Sequence, residues 1–117
     1  MVSFLSESHG NLLAINISKV IDKHTFEAIN PELEKVINDH DDPRVYLELP
    51  EFENVTPKGL YEDLTNIPSY NKLKKIAVVG DAKWKEILVK ISDIMMSPHA
   101  KYFNFDEKEE AMSWVKM

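Results

Sequence analysis

The sequence predicts an α/β fold: one domain, residues 1–117, with a five-stranded, mostly parallel sheet whose first strand lies antiparallel at an edge, flanked by about four helices. Three observations predict it. Short apolar runs alternate with segments of helical period in the order β-β-α-β-α-β-α-β-α, and repeated strand-helix-strand units demand parallel strands joined by right-handed crossovers. The run Ile76-Ala77-Val78-Val79-Gly80 is apolar without alternation, the signature of a strand covered on both faces. Apolar residues at 44% against charged residues at 29%, with three glycines, are the balance of a folded globule rather than a disordered chain.

The elements follow in order. Val2 to Ser6 and Leu12 to Ile17 bracket Ser8-His9-Gly10-Asn11, where glycine and asparagine supply the positive backbone dihedrals of a tight hairpin. Phe26, Ile29, Leu33, Val36 and Ile37 recur at helical spacing, with Asp22 or Thr25 able to cap the start. Pro31 sits inside that period, and its missing N–H predicts a bent helix or a restart capped by Asn30. Arg44 to Leu49 reads as a short buried strand closed by Pro50. Thr56 as N-cap and Pro57 at the first helical position open a helix that buries Leu60, Tyr61, Leu64 and Ile67 and stops at Pro68.

After the apolar strand at 74–80, Trp84, Ile87, Leu88, Ile91 and Met95 mark a third helix, ended at Ser97-Pro98. Ala100 to Phe105 reads as the last strand. Residues 106–117 read as a terminal helix with Ala111, Trp114 and Val115 on its apolar side, and the acidic residues of its first turn suit the helix dipole.

Composition narrows the function classes. Fourteen Lys and Arg against twenty Asp and Glu give a net charge of −6, which disfavours nucleic acid and anionic membrane surfaces as partners. With no cysteine, disulfides, thiolate nucleophiles and cysteine-based metal centres are excluded. No window approaches the run of about 18 apolar residues that a spanning helix needs, so no integral membrane segment and a cytoplasmic location are expected. His9, His24, His40 and His99 share no metal-ligand spacing, and no metal site or other cofactor is expected. Glu62 with Asp63, and Asp81 with Lys83, stand beside no nucleophile, so no catalytic residue is assigned.

Ligands of parallel sheets sit at the carboxyl ends of the strands. The corner Gly80-Asp81-Ala82-Lys83-Trp84 combines a glycine for close approach, helix-start N–H groups and a cation, a fit for an anionic or polar headgroup. The same residues also read as plain structure: Asp81 capping the helix, Gly80 easing the turn, Trp84 packing on the sheet. Phe52, Val55, Tyr61, Trp84, Ile91 and Met95 line either an apolar groove or the core, with methionine and aromatics suited to an irregular apolar ligand. The candidate ligand-binding residues are thus Phe52, Tyr61, Gly80, Asp81, Lys83, Trp84 and Met95.

The stretches KKIAVVGDAKWKEILVK, KYFNFDEKEEAMSWV and LELPEFENVTPKGLYEDL resemble the SpoIIAA-like family, small proteins related to STAS domains (sulphate transporter and anti-sigma-factor antagonist). The pattern is an apolar strand, Val79-Gly80-Asp81, Lys83-Trp84, then Tyr102-Phe103 followed by acidic residues and Ala111 to Trp114. The resemblance implies a five-stranded, mostly parallel sheet flanked by helices. It departs from the anti-sigma-factor antagonists at one corner. Those carry an Asp-Ser-Ser or similar phosphorylatable turn after the third strand, whereas LPEFENVTPK offers only Thr56, near Glu51 and Glu53. A phosphate there would meet two carboxylates, so Thr56 is read as a helix cap rather than a phosphorylation site. The expectation is a non-enzymatic binding or regulatory module that meets a protein partner or a second copy of itself. The alternative is a carrier or sensor of a small apolar or lipid-like ligand at the strand carboxyl ends.

Overall fold

The computed structural model describes residues 2–18, 23–49, 73–81, 83 and 100–117. Five strands, β1 (Val2–Phe4), β2 (Leu12–Ile17), β3 (Arg44–Glu48), β4 (Lys75–Gly80) and β5 (Ala100–Asn104), form one sheet in sequential order. β1 pairs antiparallel with β2, and every later pair is parallel. The described residues hold two helices, α1 (Lys23–Asp39) and α2 (Lys108–Lys116), with a 3-10 turn at Phe105–Glu107 leading into α2. The count of about four helices is therefore corrected to two among the described residues, because the helices expected from Thr56 and from Trp84 fall outside them.

The hairpin shows why its sequence turns. Gly10 takes φ 58°, the left-handed region that only glycine enters freely, and His9 and Leu12 exchange backbone hydrogen bonds of 3.0 and 3.1 Å across it. The pairing then meets an irregularity, with β1 ending at Phe4 rather than Ser6. Ser8 repairs it: its Oγ donates to Ala14 O at 2.9 Å and accepts from Ala14 N at 2.8 Å. Ala14 is fully buried, so these groups have no recourse to solvent. Ser8→Ala is expected to cost about 1–2 kcal/mol, the penalty of an orphaned buried donor, while Ser8→Thr retains most of the stability. Urea denaturation measures both, and an alanine variant as stable as wild type would show that the serine bonds contribute nothing.

Asn11 joins this corner to the next strand. Its Nδ2 donates to Asp42 O at 3.0 Å, and its carbonyl accepts from Arg44 N at 2.8 Å, which sets the β2–β3 register. α1 runs unbroken through Pro31, so the expected restart at Asn30 is corrected. Pro31 and Glu27 are both exposed, and the carbonyl that proline leaves without a partner faces water instead of core. Thr25 lies inside the helix and is not its cap, and Asp22 lies outside the described residues.

Strand alternation divides the core into two layers. Leu13, Ile15, Ile17, Val45 and Val78 face α1, where they meet Ile29 and Leu33. Leu12, Ala14, Tyr46, Ala77, Val79 and Phe103 face the opposite way, where they meet Ala111 and Val115 of α2. The apolar run of β4 is buried from Ala77 to Gly80 because both faces are covered.

Candidate functional site: a buried carboxylate at the sheet's carboxyl end

The α2 face of the central strand carries three polar side chains, Arg44, Tyr46 and Glu48, two residues apart along β3. Glu48 ends the strand and is only 8% exposed, an expensive position for a carboxylate without partners. It has several. The Tyr46 hydroxyl donates to Oε1 at 3.1 Å, the Asn16 amide donates to Oε2 at 3.3 Å, and Lys108 Nζ stands 3.6 Å from Oε1. Register explains the amide, since Asn16 of β2 lies directly opposite Glu48. Burial raises the Tyr46 phenol well above its ordinary value, with the Glu48 charge and hydrogen bond next and Glu7 adding to it. Tyr46 therefore stays a protonated donor through neutral pH and is no base.

Lys108 belongs to the first turn of α2, so the cluster fastens the start of that helix to the sheet. The other end is fastened by two cations. Arg44 Nη1 donates to Val115 O at 2.8 Å, and Lys75 Nζ donates to Trp114 O at 3.0 Å. These are carbonyls of the last turn, at the negative end of the helix dipole, and the Trp114 carbonyl also accepts from the Met117 N–H at 3.2 Å. Arg44 and Lys75 are register partners on β3 and β4, which places their charges side by side. Arg44 also lies 3.6 Å from Asp42, and its Nε is buried without a hydrogen-bond partner among the described residues.

Further along the carboxyl rim, Gly80 ends β4 and pairs with Asn104. Asp81 is half-buried, and its backbone carbonyl accepts a hydrogen bond from the Tyr102 hydroxyl. Burial, then the charges of Asp81 and Glu107, push the Tyr102 phenol up to about 12, so it too remains a donor. Lys83 is exposed. At the end of β5 the Asn104 N–H donates to Glu107 Oε1 at 2.9 Å, closing the 3-10 turn that holds Phe105 at the surface. Phe105 is 37% exposed, with Lys108 Nζ 5.9 Å from its ring centre.

Of the residues the sequence singles out for ligand binding, Gly80, Asp81 and Lys83 are thus at the carboxyl rim. Phe52, Tyr61, Trp84 and Met95 lie outside the described residues, as does Thr56. The Glu48 cluster was missed because its signal, polar residues on alternate positions of one strand, becomes informative only when α2 is known to lie on that face. His24 Nδ1 stands 3.3 Å from Glu27 Oε2 on the exposed side of α1, and among the described residues no group of three metal-ligating side chains assembles. No helix among them is long and apolar enough to cross a membrane.

A mixed five-stranded sheet with a helix on each face, its terminal helix clamped to the sheet at both ends, defines a single-domain α/β protein. The model of the SpoIIAA-like family matches residues 12–116, nearly the whole chain, and the chain belongs to that family. Comparison with curated proteins gives no match.

Proposed function

We propose that the chain is a non-enzymatic regulatory module that works by protein-protein interaction, engaging its partner at the carboxyl end of the sheet around Phe105. The observation that carries this reading is the strand order. Small ligands of open α/β sheets occupy the crevice that opens where strand order reverses, and here β1 to β5 follow one another without a reversal. What the carboxyl rim offers instead is a partly exposed aromatic ring beside the Glu48–Lys108 pair. Aromatic side chains with a polar border are typical anchors of protein interfaces. Glu48 supports the non-enzymatic part of the reading, since both its oxygens are engaged in holding the fold. Membership of the SpoIIAA-like family agrees with an interaction role.

The test is affinity capture of binding proteins by the full chain and by Phe105→Asp, with sizing of each alone. Phe105 belongs to neither core cluster, so the variant is expected to unfold at the wild-type temperature. Its recovery of a specific partner, or its self-association, is expected to fall about tenfold, the effect of losing roughly 1.4 kcal/mol of binding. A strictly monomeric protein that captures no partner overturns the module, and equal capture by both forms overturns the surface.

A further inference from the structure

At the opposite, amino end of β4 and β5, two lysines converge on one indole ring. Lys75 Nζ lies 4.9 Å and Lys101 Nζ 6.0 Å from the Trp114 ring centre, and Lys101 Nζ is also 5.1 Å from the Phe103 ring. Trp114 and Phe103 themselves meet at 6.0 Å with planes tilted by 55°. The neighbouring charges are differently committed. Arg44 is used by the Val115 carbonyl and by Asp42, and Lys75 by the Trp114 carbonyl. Lys101 is exposed, and among the described residues its ammonium stands against the two aromatic rings alone. Fixing two like charges against the same ring is unfavourable by their mutual repulsion, and an entering anion relieves it.

We propose that Lys75, Lys101 and the Trp114 ring form a docking surface for a carboxylate-bearing peptide segment of a partner protein. Charge complementarity selects the carboxylate. The side-chain character selects the peptide: lysines act as point charges for single carboxylates, and the partly exposed indole provides apolar area for the side chain next to them. A long polyanion is disfavoured because the chain as a whole carries −6, so that attraction is confined to this patch. This surface goes beyond the carboxyl-rim reading and is independent of it: it lies at the other end of the strands, and either can fail alone.

The test is fluorescence anisotropy of a labelled glutamate-rich peptide titrated with the full chain, beside its glutamine-substituted counterpart and with inorganic phosphate as competitor. The glutamate peptide is expected to bind about tenfold more tightly than the glutamine one and to weaken as salt is raised. Lys101→Gln is expected to reduce affinity several-fold and Lys101→Glu about tenfold, with Lys101→Arg retaining it, all at unchanged thermal stability. The proposal is overturned if the glutamate peptide does not bind, if the Gln and Glu variants bind it as well as wild type, or if phosphate displaces it as readily as unlabelled peptide does. If Lys101→Glu alone lowers thermal stability, the Lys101→Gln result decides.

Discussion

Tyr46→Ala is expected to destabilise the fold by about 3–5 kcal/mol, the range for emptying a large buried aromatic site. Tyr46 is 2% exposed and is the largest fully buried side chain among the described residues. Its removal also takes one donor from Glu48 Oε1, leaving that carboxylate to Asn16 and Lys108. Tyr46→Phe separates the two losses. It keeps the ring and is expected to cost only about 1–1.5 kcal/mol, the worth of one hydrogen bond to a charged acceptor that keeps other partners. Chemical denaturation of the two variants measures the difference, and a phenylalanine variant as damaged as the alanine one would place the stabilisation in the hydroxyl rather than in packing.

The same pair of proteins carries a pH dependence whose sign is fixed. The folded-state pKa of Tyr46 is raised above the ordinary phenol value of 10.0 by burial and by Glu48. The contribution of the protonated phenol is therefore complete below pH 10 and is lost as pH rises above it, because the unfolded chain releases its proton first. The stability gap between wild type and Tyr46→Phe should accordingly narrow above pH 10 and stay constant between pH 7 and about 9. A gap that widens in alkali would mean that the phenol ionises more readily in the fold than outside it.

Ala111→Leu is the second large effect, expected to cost about 1–3 kcal/mol by overpacking. Ala111 on α2 and Ala77 in the middle of β4 are both 0% exposed and belong to one cluster, where small side chains let the helix backbone approach the sheet. Three added carbons at Ala111 must lift the helix or displace Val79 and Phe103. The clamps at its two ends, Lys108 on Glu48 and Arg44 with Lys75 on the last carbonyls, resist that lift. The strain should therefore appear as faster amide hydrogen exchange throughout α2 rather than as fraying of one end. Unchanged exchange together with raised stability would reveal unfilled space beneath the helix.

Local pattern made much of this architecture legible. The hairpin turn needed only Gly10 and its neighbours. β4 announced itself through an apolar run bounded by lysines and glycine, and α2 through Ala111 and Val115 one turn apart. Each of these depends on residues close together in the chain. The sites of polar fastening were not legible for the converse reason. Asn16 meets Glu48 across 32 residues, Lys75 meets the Trp114 carbonyl across 39, and Arg44 meets the Val115 carbonyl across 71. Isolated charges at strand ends look like solvent-facing residues until the register and the helix above them are known. Pro31 shows the opposite error for one of its two expected outcomes: the restart at Asn30 does not occur, since α1 continues through the proline at an exposed position.

The amino-acid sequence by itself determined the strands, the hairpin and the two-sided burial of the sheet, because side-chain period and turn chemistry act over a few residues. Family membership was also legible there, in the strand-and-corner pattern from residue 74 onward and in the upstream stretch at residues 47–64. Only the tertiary structure decided that Glu48 is a buried anchor and not a surface charge, that two cations close the last turn of α2, and that Lys101 is left against two aromatic rings. A charge takes its role from what lies within a few ångströms of it, and folding sets that distance where chain separation does not.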